Sequence, residues 1–144
     1  MSKYSEQAIA ILKQKGFRIT RPRMLVLELL DRTERTLSAY EIKDILDESG
    51  EKVDTVSVYR ILECLEENHL IHRVLSSGRV MKCHLEHEQE DQQEHLIISC
   101  QGCGSIEEIQ FPEVDKIIRS IEKLSTYKIQ NHNLEFFGLC RQCE

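Results

Sequence analysis

The chain has 144 residues, 31% of them charged, and a formal net charge of −6. That length makes one ordinary domain or two small ones, and net acidity argues against bulk affinity for nucleic acid. No apolar run is long enough to span a bilayer, and the opening MSKYSEQAIAILK lacks the long apolar core of a signal peptide, so a cytoplasmic protein with no membrane partner is expected. The acid is uneven. Residues 79–144 hold 7 Lys and Arg against 12 Asp and Glu, whereas residues 1–78 hold 12 against 13. Any anionic partner is expected to meet the N-terminal half.

Ala8, Ile9 and Leu12 give residues 5–15 the pattern of a short amphipathic helix, stopped by Gly16. Thr20 is a candidate N-cap with Pro22 in the turn that follows, and residues 24–30 continue that helix. Ser38 and Glu41 make a capping box that opens a helix carrying Ile42, Ile45 and Leu46, ended near Gly50. Asp54 or Thr55 caps the next helix, in which Val58, Ile61, Leu62 and Leu65 recur at helical spacing and form a buried stripe. Residues 70–75, a Ser-Ser-Gly turn and residues 80–83 read as a β-hairpin. Short helices followed by a hairpin describe a winged helix.

A polar run over residues 86–94 separates the halves. Beyond it come a strand-like segment at 96–99, a Cys-x-x-Cys pair, a strand-like segment at 106–111, a helix over about 113–124 and a strand-like segment at 134–139. No internal repeat is visible beyond the paired Cys-x-x-Cys.

The helix at 55–67 is the candidate recognition helix. With its stripe buried, Val56, Tyr59, Arg60 and Glu63 point outward. Residues near the N-terminus of such a helix reach base edges. Arg60 suits guanine or a phosphate, Tyr59 a thymine methyl or a phosphate, and Thr55 and Ser57 suit phosphates. An ordinary solvated helix face has the same periodicity. The loop at 18–23 adds Arg18, Arg21 and Arg23, and such a cluster alone is more often plain surface.

Cys100-Gln-Gly-Cys103 and Cys140-Arg-Gln-Cys143 carry the strongest signal. Two pincers of soft thiolates are what a closed tetrahedral Zn²⁺ site needs. A redox Cys-x-x-Cys needs one pair and opens a helix, whereas both pairs here adjoin strands. A second constellation gathers His72, Cys83, His84, His87 and His95, with Glu107 and Glu108 beyond. Mixed nitrogen, sulfur and oxygen donors suit Zn²⁺ better than oxygen-preferring metals. Cys64, beside Ile61 and Leu65, reads as a small packing residue. No nucleophile–base pair or open metal position stands out, so the chain does not read as an enzyme.

These residues resemble the ferric uptake regulator family and, within it, the zinc uptake regulators. The resemblance rests on Thr55-Val56-Ser57-Val58-Tyr59-Arg60-Ile61-Leu62, on Cys100-x-x-Cys103-Gly104, and on Asn131-His132-Asn133-Leu134 leading into Gly138-Leu139-Cys140-x-x-Cys143. It implies an α+β protein with a winged-helix DNA-binding domain over 1–82, a hinge at its end, and an α/β dimerisation domain with structural zinc over 83–144. It implies a bacterial, homodimeric repressor acting on an AT-rich inverted repeat in double-stranded DNA, with Arg21, Arg23, Thr55, Ser57, Tyr59 and Arg60 as candidate contacts.

The resemblance also bears on the metal. Iron and peroxide sensors of the family carry a histidine two residues before the Ser that opens the third helix, and here that residue is Thr36. They also carry histidines five and three residues before the first Cys-x-x-Cys. His95 fits the first place and Ile97 fills the second. The zinc pattern fits better. It implies structural zinc on Cys100, Cys103, Cys140 and Cys143, and regulatory zinc on His72, Cys83, His95 and Glu108, with His87 the alternative third ligand and His132 an accessory position. Iron, manganese or nickel sensing is the alternative within the family.

Overall fold

Four helices open the chain, and three start on a residue whose side chain caps them. The first, α1 (Lys3–Gln14), runs into Gly16, whose φ of 85° is the left-handed conformation that ends it. Thr20 Oγ1 accepts the Arg23 N–H at the head of α2 (Arg21–Arg32). Ser38 Oγ accepts the Glu41 N–H in α3 (Ala39–Glu48), and Asp54 Oδ1 accepts the Ser57 N–H in α4 (Thr55–Glu67). Each such cap is worth about 1 kcal/mol. Asp54, not Thr55, is therefore the cap of α4. Its carboxyl is held below the usual range, chiefly by donation from Ser57.

The antiparallel pair β1 (Ile71–Arg73) and β2 (Val80–Lys82) follows, shorter than the expected strands. Leu37 bridges Val80 through reciprocal backbone bonds of 2.9 and 2.8 Å, so the segment before α3 lengthens the wing. Arg79 fixes the same junction. Its guanidinium donates to both Glu41 carboxylate oxygens (2.8 and 2.9 Å), to Thr36 Oγ1 (3.1 Å) and to the Thr36 carbonyl (2.9 Å). Glu41 thus completes only half of the capping box; its carboxylate goes to Arg79 and Arg35, which hold it below the usual carboxylate range. Leu12, Leu27, Leu30, Leu37, Ile42, Leu62, Leu65 and Leu70 are fully enclosed. Each buried Leu contributes about 1.5–3 kcal/mol, so this unit has a core of its own.

The computed structural model describes residues 2–83, 95–130 and 132–144, and at His95 the backbone alone. The polar run at 86–94, with His84 and His87, lies outside the described residues. The chain divides into two compact units, Met1–Glu86 and His87–Glu144. Cys83 N–H donates to the Leu70 carbonyl at 3.0 Å, which extends the hairpin ladder and keeps Cys83 with the winged helix.

The second unit comprises β3 (His95–Cys100), β4 (Ile106–Gln110), α5 (Val114–Leu124) and β5 (Glu135–Gly138). Its sheet has the order β4-β3-β5, with β3 antiparallel to β4 and parallel to β5. Among its described residues the enclosed apolar side chains are Leu96, Ile97 and Val114, together with Cys100. Ile117, Ile121, Leu124, Phe136 and Phe137 remain exposed, Leu124 at 91%.

Candidate metal centres and nucleic-acid face

The parallel pairing of β3 with β5 builds the tetracysteine cluster. Its register sets Cys100 opposite Gly138, and Gln101 N–H donates to the Gly138 carbonyl at 2.8 Å. Both Cys-x-x-Cys pairs therefore leave the same end of neighbouring strands. All four Sγ atoms lie within 4.8 Å of one another. A tetrahedron with zinc–sulfur bonds of about 2.3 Å has edges of about 3.8 Å, and Cys103 Sγ lies 3.8 Å from Cys140 Sγ.

Backbone donors are already aimed at the sulfurs. Cys100 Sγ accepts N–H bonds from Cys140 (3.3 Å), Gly102 (3.4 Å) and Cys103 (3.5 Å). Donation from Cys140 and then Cys103 favours the thiolate and draws the Cys100 thiol down to about 6. The Ser105 hydroxyl, 3.2 Å from Cys103 Sγ, lowers that thiol too. Cys143 is pushed up to about 12 by the crowding sulfurs of Cys140, Cys100 and Cys103. Crowding thus keeps a proton on Cys143 that a divalent cation would displace, while the backbone donors make Cys100 a ready thiolate. The donor set, spacing and charge all fit Zn²⁺.

Gly102 belongs to this site, although the spacing motif leaves its identity open. A Cβ there would stand 2.9 Å from both Cβ and Sγ of Cys143. Gly102→Ala is expected to release zinc to a chelator about tenfold more readily, in line with substitutions just outside a metal shell. Retention as in the wild type would show that the loop yields at no cost.

Among the expected regulatory ligands, the structure brings His72 and Cys83 together. The hairpin register pairs His72 with Met81, which puts His72 and Cys83 diagonally on one face. Their ligand atoms lie within 4.8 Å. Cys83 is 3% exposed and His72 half-buried. Glu108 stands on β4, paired with Ile97, and His95 opens β3, paired with Gln110. His132 is half-buried in the stretch ahead of β5.

The outward face of α4 matches its periodicity. Tyr59 and Arg60 are exposed, and Thr55 and Ser57 are half-buried. Tyr59 meets Tyr40 edge-on, ring centres 6.3 Å apart, so the exposed face extends onto α3. The loop arginines have intramolecular partners. Arg21 pairs with Glu51, and Arg23 donates to the Arg18 carbonyl at 2.6 Å while its guanidinium lies 5.7 Å from the Phe17 ring centre.

The sequence signature of the Ferric uptake regulator family matches residues 14–137. The chain belongs to this family. It is 30% identical to the zinc uptake regulation protein of Escherichia coli K12, over 95% of this chain and 79% of that one. It is also 30% identical to the ferric uptake regulation protein of Neisseria gonorrhoeae, over 100% of this chain and 96% of that one. A zinc uptake regulator complexed with zinc and DNA superposes with a TM-score of 0.86 at 27% identity, covering 99% of this chain and 95% of that one. This family member is a metal-responsive, DNA-binding transcription regulator and not an enzyme. Its winged-helix unit is the DNA-binding part, and the tetracysteine unit is the α/β part.

Proposed function

We propose that this family member is a zinc-responsive repressor that controls zinc uptake genes, binding an AT-rich inverted repeat as a homodimer. The observation that carries the reading is the pairing of His72 with Cys83 on one face of the wing hairpin, ligand atoms within 4.8 Å. A thiolate beside an imidazole favours zinc over metals that prefer oxygen. Glu108 and His95, from the other unit, complete the proposed shell, with His87 as the alternative to His95. The two places that iron sensors fill with histidine are here put to other use. Thr36 receives Arg79 at its hydroxyl and carbonyl, and Ile97 is a buried strand residue, 4% exposed.

Bound at this shell, zinc would supply the positive charge that draws these ligands together. The residues do the rest. His72 and Cys83 would hold the metal from the wing, and Glu108 and His95 from β4 and β3. Fixed recognition helices match half-sites at fixed spacing. Ile117, Ile121 and Leu124 recur along α5 and are exposed, as are Phe136 and Phe137. That apolar face suits a second copy of the chain. Tetracysteine zinc is structural in this scheme, and a permanent part of the dimerising unit.

A mobility shift on an AT-rich inverted repeat across a series of divalent metals, with metal analysis of each sample, tests the assignment. Zinc is expected to activate binding at the lowest free concentration. Activation by iron, manganese or nickel below the zinc threshold would move the protein to the alternative sensing class. Arg60→Ala is expected to weaken operator affinity by about 1–3 kcal/mol with zinc content unchanged. Fluorescence anisotropy with labelled operator measures it, and equal affinity would remove Arg60 from the interface.

A further inference from the structure

The first turn of α1 holds the strand that carries Cys83 from two sides. Tyr4 hydroxyl donates to the Leu70 carbonyl at 2.7 Å, and the same carbonyl accepts the Cys83 N–H at 3.0 Å. One residue further, Ser5 Oγ donates to Asp31 Oδ2 at 2.6 Å. Asp31 in turn receives Lys82 Nζ on its backbone carbonyl (2.6 Å) and on Oδ1 (3.3 Å). Lys82 directly precedes Cys83, and its Nζ lies 5.8 Å from the Tyr4 ring centre. The contacts close a ring through Tyr4, Leu70, Cys83, Lys82, Asp31 and Ser5.

Tyr4 and Ser5 are 8% and 1% exposed, so water competes little for these bonds. Ala8, Ile9 and Leu12 already dock α1 by apolar burial. The two hydroxyls therefore add direction more than area. A hydrogen bond fixes distance and angle, which apolar contact does not. The strand so fixed is the one from which a metal ligand projects, beside the ladder position of His72.

We infer that Tyr4 is a positioning residue of the sensing centre: through the Leu70 carbonyl it sets the backbone of Cys83, and with it the place where the Cys83 sulfur meets the His72 imidazole. This rests on the reading of His72 and Cys83 as zinc ligands. Groups that orient a ligand without touching the metal govern affinity by 10–100-fold in typical metal sites. Docking of α1 and occupancy of the sensing site then become linked, each favouring the other.

The test uses the full chain with its tetracysteine site loaded with zinc. Cobalt(II), titrated into the sensing site, reports thiolate ligation by its sulfur-to-metal charge-transfer absorption. Tyr4→Phe keeps the ring and removes the hydroxyl. It is expected to bind cobalt about tenfold more weakly, and to exchange the Cys83 amide hydrogen faster before metal is added. Ile9→Val loosens the same helix without touching the Leu70 carbonyl, and is expected to titrate like the wild type. Unchanged cobalt affinity in Tyr4→Phe overturns the inference. So does an equal loss in Ile9→Val, which would trace the effect to the general stability of α1. A wild-type band that survives Cys83→Ser would instead overturn the underlying ligand assignment.

Discussion

Cys140→Ser, or removal of the tetracysteine zinc by a strong chelator, is expected to unfold the second unit and leave the winged helix folded. The asymmetry follows from where apolar surface is buried. The first unit encloses a contiguous leucine-rich core drawn from all four of its helices and from the wing. The second encloses Leu96, Ile97 and Val114, together with Cys100, among its described residues and leaves Leu124, Phe136 and Phe137 in solvent. Within one chain, the described apolar side chains enclosed there offset little of the conformational entropy of a small domain. Structural zinc supplies about 10–16 kcal/mol in small metal-folded peptides at neutral pH, against a typical whole-domain stability of about 5–15 kcal/mol. The metal is thus as large as everything else holding the unit. Hydrogen exchange read by mass spectrometry separates the outcomes. Protection should vanish from β3, β4 and β5 and persist in α2 and α4. Continued protection of β3 and β5 without zinc would mean that the sheet stands by itself.

Acid should act in the same direction. The Cys100 thiol is drawn down to about 6 and the Cys143 thiol pushed up to about 12. Zinc must therefore displace a proton from Cys143, whereas Cys100 gives up its proton more readily. Below a pH of about 6, protons compete with zinc for Cys100 as well. Zinc retention is lost on the acid side, and the fold of the unit goes with it.

Much of this was legible in the sequence because it is local. Thr20, Ser38 and Asp54 cap helices through bonds that span three residues. The stripe Val58, Ile61, Leu62 and Leu65 is a periodicity within one helix, and all four are buried. The Cys-x-x-Cys pairs announce a tetrahedral site by spacing alone. What could not be read is set by residues distant in the chain. Nothing in the spacing indicates that β3 pairs parallel with β5, yet that register brings Cys140 to Cys100. The requirement for glycine at 102 appears only when the second pincer closes on it. Glu41 was legible as half of a capping box, but its carboxylate answers to Arg79, which only the folded wing delivers. Tyr4 lies just ahead of the helix read over 5–15, and nothing in the sequence singles it out. Its hydroxyl matters because Leu70 lies across the fold.

Cys83→Ser is expected to abolish zinc-stimulated DNA binding while the fold and the tetracysteine zinc survive. Serine keeps the volume of the side chain and can hold the backbone ladder to Leu70, but an oxygen donor at that place no longer pairs soft sulfur with the His72 imidazole. The stimulation itself is a coupling free energy. If closing the sensing shell raises operator affinity 100-fold, the two states must differ by about 2.7 kcal/mol in their affinity for zinc. Removing the sulfur removes that difference, so the variant should bind operator as weakly with zinc as the wild type does without it. Reciprocity gives an independent check. Operator DNA should tighten the sensing-site zinc of the wild type by the same factor, and should leave zinc binding by Cys83→Ser unchanged. Calorimetric zinc titrations with and without operator measure both sides of the cycle. Loss of α-helical signal in the variant would show that Cys83, 3% exposed and hydrogen-bonded into the hairpin, serves packing before sensing. An intact fold with undiminished zinc stimulation would place the sensing ligands elsewhere in the chain.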